Sequence, residues 1–163
     1  MNLFLLLLTL AGDPATCPMH AQHMAEAQHA HGVDQRGDHV MGFSHEKTKH
    51  AFRLFADGGA IEVRANDAND AESVAQIRGH LQMIAKEFSA GTFTKPEEIH
   101  ARVPDGVATM KDLGAKIVFK YEELERGARV RVTTGDMHGV EAVHQFMRFQ
   151  IADHRTGDSG EVE

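Results

Sequence analysis

The feature that most limits how this chain can fold is a pattern that occurs twice: an alternating run, a turn, a second alternating run and an amphipathic helical stretch. In the first copy Phe52 and Leu54 alternate with Arg53 and Phe55, and Ile61 and Val63 alternate with Glu62 and Arg64. Asp57-Gly58-Gly59 between the runs is hairpin chemistry. Asn69 with Glu72 then supplies a capping box, and Val74, Ile77, Leu81, Ile84 and Phe88 form one stripe at helical spacing, ended by Gly91. In the second copy Ile117, Phe119 and Tyr121 alternate with Val118, Lys120 and Glu122, and Glu125-Arg126-Gly127 turns the chain. Val130 and Val132 alternate with Arg129, Arg131 and Thr133, and Asp136 caps a last helix with Val140, Val143, Met147 and Ile151 inward. The copies share Gly-Ala at the hairpin exit, Gly59-Ala60 and Gly127-Ala128. Between them Thr94-Lys95-Pro96-Glu97 opens a short helix carrying Ile99 and His100, Pro104 breaks it, and Val107, Met110 and Leu113 suit another turn or two.

This pattern predicts an α+β domain over residues 42–158, in which two ββα units form a four-stranded antiparallel sheet with two long helices packed on one face. Arg53, Glu62, Arg64, Lys120, Glu122, Arg129 and Arg131 point the other way, as an open, solvated sheet face requires. Residues 159–163 are too short and polar to add to this core and are expected to be a disordered tail.

Before the domain, Asn2 to Ala11 is an apolar run of signal-peptide length, too short to span a membrane, with small residues after it at Ala11, Gly12 and Ala15. Residues 1–16 are therefore expected to be a signal peptide. The mature chain would be periplasmic or secreted, with no transmembrane segment. A lipid anchor at Cys17 is the less favoured form, because Pro14 fits poorly in the small-residue box that lipidation needs. With one Cys in the chain no internal disulfide can form, which leaves Cys17 as a free thiol, an intermolecular partner, a lipidation site or a metal ligand. The net charge of -7 gives nucleic-acid binding no electrostatic footprint and is compatible with attracting cations.

Residues 17–41 read as a His/Met-rich flexible arm. The chain has 12 His, and His20, His23, His29, His31, His39, His45 and His50 lie close together in sequence. Clustering of that kind points to metal binding; its alternative is a solvated linker rich in His. Cys17, Met19, His20, His23, Met24, His29 and His31 supply thiolate, thioether and imidazole, the donors of copper in its reduced form and, without the thioethers, of zinc. Pro18 suits a first helical turn and the Ala, Gln and Glu after it favour helix, so His20, His23 and Met24 would share one face, with Ala27 beside them and His31 further along.

Cys17-Pro18-Met19-His20 resembles the short heavy-metal-binding segments at the ends of copper-handling membrane pumps and efflux proteins, although the aromatic residue before Cys and the Pro after His are missing. A second resemblance covers most of residues 41–158. Met41-Gly42-Phe43, Lys47-Thr48 with His50, Asp57-Gly58-Gly59, Ile77-Arg78 with His80-Leu81, Ile99-His100 and the tail from Phe149 to Asp158 are similar to an uncharacterised family of small exported bacterial proteins. That resemblance implies a shared fold and export, and no particular activity.

Within the domain, His80 and His144 flank the two helical stripes, His100 follows Ile99, His50 opens the first strand and His154 ends the last helix. They form a second tier of metal candidates whose ordinary role would be packing and hydrogen bonding. No nucleophile elbow or phosphate loop is present in the sequence, and no catalytic residue is assigned. The leading expectation is an exported protein that binds copper or zinc for metal handling in the envelope. The alternatives are a non-enzymatic interaction or small-ligand-binding module with a partner the sequence does not name, and a small metal-dependent enzyme.

Overall fold

The computed structural model describes residues 18–163. Its elements are α1 (Pro18–Met41), β1 (Thr48–Phe55), β2 (Gly58–Ala65), α2 (Ala71–Ser89), α3 (Thr94–His100), α4 (Val107–Leu113), β3 (Ile117–Leu124), β4 (Gly127–Thr134) and α5 (Met137–His154), with one 3-10 turn at Gly114–Lys116 before β3. The expected α+β architecture is present. Two antiparallel hairpins join through their second strands into one four-stranded sheet in the order β1-β2-β4-β3. Phe52, Ile61, Val130 and Tyr121 lie in one cross-strand row on the helix side. Ile77, Leu81 and Ile84 of α2 and Val143, Phe146 and Met147 of α5 close the same core over it.

The two hairpins are equivalent residue for residue: Phe52 pairs with Ile61 as Tyr121 pairs with Val130, and Phe55 with Gly58 as Leu124 with Gly127. The structural counterpart of Gly127 is therefore Gly58, one residue before the Gly59-Ala60 pair that the sequences suggest aligning. A Cβ on Gly58 would fall against the carbonyl oxygen of Val132, and one on Gly127 against that of Val63. Close approach of β2 to β4 thus demands glycine at both places.

Helix ends follow local chemistry with two small shifts. Asp70, one residue later than expected, caps α2 through the Ser73 amide, and Asp136 caps α5 through His138 and Gly139. Thr94 sits inside α3, which has no side-chain cap.

The outward sheet face carries the expected charges, but Glu62 is buried among them. Its carboxylate lies 2.6 Å from Arg64, 3.7 Å from Arg129 and 3.8 Å from Arg53, and Arg129 also bonds Glu122. Long arginine stems cover a carboxylate that three guanidinium groups neutralise.

Two expectations about the domain's edges need correction. Of the expected arm over 17–41, the described residues 18–41 do not form a separate unit: α1 runs through to Met41, and Val33 and Met41 belong to the core. Arg36 Nε donates to the Ile99 carbonyl at 2.7 Å, and Arg155 pairs with Asp34 at 2.7 Å. Only Val33, Val40 and Met41 supply apolar area here, so no periodic stripe announces the packing. The tail is also placed. Val162 bridges to Leu54, Glu163 N–H donates to the Leu54 carbonyl at 2.9 Å, and the Asp158 carboxylate accepts from Phe52 N–H at 2.9 Å. These bonds satisfy the outer edge of β1, which would otherwise be left open.

Removing residues 1–28 should leave the cooperative melting transition in place, whereas removing residues 1–41 uncovers core and should lower it or abolish it. Leu81→Ala in the full chain should cost about 2–5 kcal/mol in urea unfolding. Equal melting of the two truncations would contradict the docking of α1.

Candidate functional site

The candidate ligands fall into two groups with opposite surroundings. The first is the opening of α1. Helical spacing sets His20, His23 and Met24 on one face with Ala27, and His31 continues that side. Residues 19–29 are exposed, Met19 to 67% and Met24 to 49%. The contacts there are local: Gln22 donates to Glu26 at 3.1 Å, and His23 lies 3.8 Å from the Glu26 carboxylate. Cys17 lies outside the described residues. His29 leaves the set, because its Nε2 lies 3.0 Å from Asp153 Oδ1 and ties α1 to α5. His31 stays exposed.

The second group lies inside the domain. His50 on β1, His80 on α2, His100 at the end of α3 and His154 at the end of α5 come from four separate elements and line one cavity of about 50 Å³ between helices and sheet. His50 and His154 stack, with centroids 5.3 Å apart and planes 4° apart, and the His100 ring meets His154 edge-on at 4.9 Å. Phe43 stacks on His50 at 5.9 Å and takes the edge of His80 at 5.6 Å. Met41, His50 and His154 also line an outer cleft of about 370 Å³ beneath α1, whose far side carries Lys49 and the Asp34–Arg155 pair.

Burial dominates the electrostatics. Loss of hydration, reinforced for His80 and His154 by repulsion from neighbouring imidazoles, pushes His50 and His80 down to about 4 and His154 down to about 3. Burial also lowers His100, against the opposing pull of Asp153. Burial would raise the Asp153 carboxyl, but hydrogen bonds from His29 and His100 outweigh it and hold the pKa below the ordinary value. The four domain rings are therefore neutral at pH 7.

A neutral His100 fixes the local hydrogen bonds. Its Nδ1–H donates to Asp153 Oδ2 at 2.5 Å, which leaves Nε2 as an acceptor. The Gln150 carboxamide lies 3.0 Å from that Nε2 through its oxygen, with the amide nitrogen buried and unpartnered. A half-turn of the carboxamide lets NH2 donate to His100 and leaves the carbonyl oxygen as the free atom. His80 Nδ1 is buried without a partner as well. Both residues line the inner cavity.

These rings do not form a metal centre as they stand. Imidazole lone pairs lie in the ring plane, so two parallel stacked rings do not aim at one ion with bonds of about 2.0–2.1 Å, and both His100 nitrogens are engaged. Among the described residues, no three His, Cys, Asp or Glu side chains are placed to hold an ion together. His144 is apart from the cluster: its Nε2–H donates to the carbonyls of Phe55 at 2.9 Å and Gly58 at 3.1 Å, locking α5 to the first hairpin turn. Among the described residues, no helix is long and apolar enough to cross a membrane. Comparison with family models, curated proteins and solved structures returns no match.

Sequence reading alone does not pick out Gln150, Asp153 or Met41 as site residues. A signal existed for one of them: Val143, Met147, Gln150 and His154 follow one helical stripe, so Gln150 is a polar residue at a core position. Asp153 lies off that stripe.

The lowered histidines set the pH response. Each binds its proton less readily folded than unfolded, so the unfolded chain binds more protons and stability rises with pH. This contribution is complete above the unfolded value near 6.5 and is lost progressively as the pH falls toward about 4. The urea midpoint should drop between about pH 7 and about pH 5, and His80→Leu should flatten that drop. An equal slope in wild type and His80→Leu would mean that His80 is not buried neutral.

Proposed function

We propose that this is an exported protein that binds a soft or borderline transition-metal ion, copper in its reduced form or zinc, through the opening turns of α1, and that it serves metal handling in the envelope. The observation that carries this reading is the uncovered stripe of His20, His23 and Met24, next in sequence to Cys17 and Met19. A helical segment with no partner is marginal at this length, and these residues have no apolar face to bury. Packing therefore does not account for the recurrence of His and Met there, and ligand chemistry does. Thiolate with imidazole suits zinc; adding thioethers suits reduced copper. The apolar run at residues 2–11 supports export, and the heavy-metal-segment resemblance at Cys17–His20 supports the ligand assignment. The protein partner, if the ion is passed on, is not specified by these residues.

Metal binding displaces protons from thiol and imidazole, so affinity should fall as the pH is lowered. In competition with a chromophoric chelator, under reducing conditions for copper, Cys17→Ser should weaken both metals. Met19→Leu with Met24→Leu should weaken copper alone. A chain beginning at residue 29 keeps the folded core and should lose tight binding. Undiminished binding by that shorter chain would move the site off α1, and no competition by either chain at micromolar chelator would end the metal reading.

A further inference from the structure

We infer that the histidine-lined cavity and the outer cleft together form a binding site for a small planar heteroaromatic molecule that inserts an uncharged edge, with its ring against His50 and His154, which border both spaces, and its heteroatom edge on His80 and Gln150. This site is separate from the α1 stripe and does not depend on the metal reading.

The wall is flat. His50 lies 28° from Phe43, 20° from Phe52 and 4° from His154, and Phe52 lies 22° from His154. Four rings from three separate places in the chain share nearly one orientation, and His50 and His154 are the members of this stack that border both spaces, where a planar molecule extends it more readily than a branched aliphatic one. The edge is specific. His80 is 8% exposed and Gln150 is 4% exposed, and each buries a polar atom with no protein partner. Such atoms cost free energy until something meets them. Gln150, turned to donate to His100, presents a carbonyl acceptor, and neutral His80 presents either a donor or an acceptor at Nδ1. A ring bearing both an N–H and a bare nitrogen complements the pair.

Charge is selected against at the inner end, whereas the outer cleft carries Lys49 and the Asp34–Arg155 pair. Lys95 is the charged residue lining the inner cavity, and its ammonium is held by Glu87 at 3.4 Å. Around it are phenyl, aliphatic and neutral imidazole groups, which would not repay the desolvation of an ion. Size sets the pose. At about 50 Å³ the inner cavity is much smaller than the roughly 150 Å³ void that holds benzene. It therefore admits the edge of a ring, with the body in the outer cleft, whose 370 Å³ suits a small molecule. Met41, His50 and His154 border both spaces, and the unbranched thioether of Met41 is the part of that border most able to move.

The test uses the full chain with benzimidazole as the probe and indene, its hydrocarbon counterpart, as control. The chain has no Trp, so benzimidazole fluorescence can be followed beside ring-nitrogen NMR of the histidines. Benzimidazole should bind saturably and shift the His80 ring nitrogens, and indene should bind at least about tenfold more weakly. His80→Leu and Gln150→Leu, each confirmed folded by its melting curve, should each weaken benzimidazole by about tenfold. Equal binding of indene, or unchanged affinity in a folded His80→Leu variant, would overturn the polar-edge assignment. An unshifted His80 signal up to about 10 mM benzimidazole would mean that the cavity holds only water and would overturn the proposal without any variant.

Discussion

Each long helix lies over the other half's hairpin, and the rest of the structure depends on that exchange. α2, which follows the first hairpin, packs chiefly on β3 and β4; α5, which follows the second, packs chiefly on β1 and β2. Neither ββα half can bury its own stripe, so the halves are stable only together. The central β2–β4 pairing makes this possible, and it needs glycine at positions 58 and 127, where each strand abuts its neighbour's carbonyls. His144 adds a polar lock between α5 and the first turn, in the direction of the exchange.

Two helices over a four-stranded sheet leave a gap at one end, and α1 and α3 fill it. Arg36 holds α1 to the end of α3, while His29 and Asp34 hold it to the end of α5. His100 and His154 end their helices here, and His50 of β1 and His80 from the middle of α2 line the same cavity. Burial there leaves the imidazoles uncharged, and Asp153, fixed between His29 and His100, carries the compensating order.

The same residue type consequently has two chemistries in one chain. At the opening of α1 the imidazoles of His20 and His23 and the thioethers of Met19 and Met24 are exposed to solvent. In the domain they are stacked, partly hydrogen-bonded and deprived of water, a setting that favours an uncharged molecule with matching hydrogen-bonding atoms over an ion. Desolvation, more than donor identity, separates the two.

Much of the fold was legible because periodicity is local. The alternation around Phe52, Ile61, Phe119 and Val130 and the stripes through Ile77 and Val143 fix which face of each element is buried, and Asp136 and Gly91 mark helix ends through bonds made within a turn. The exact hairpin equivalence, Gly58 with Gly127, was not legible, because it rests on the register within each hairpin, which the shared Gly-Ala pair misplaces by one residue. The ordering of α1 and of the tail was hidden for a related reason. Val33 and Met41 are too few to make a pattern, and Val162 is held by backbone bonds to β1 that carry no side-chain signature. For the candidate site, the sequence by itself determined the inventory of histidines and the soft donors near residue 20. Only the tertiary structure decided that His50, His80, His100 and His154 share a cavity, that Gln150 and Asp153 belong with them and that His144 does not. Convergence of side chains from four elements is a property of how those elements pack, and burial, which sets their charge, exists only once they have packed.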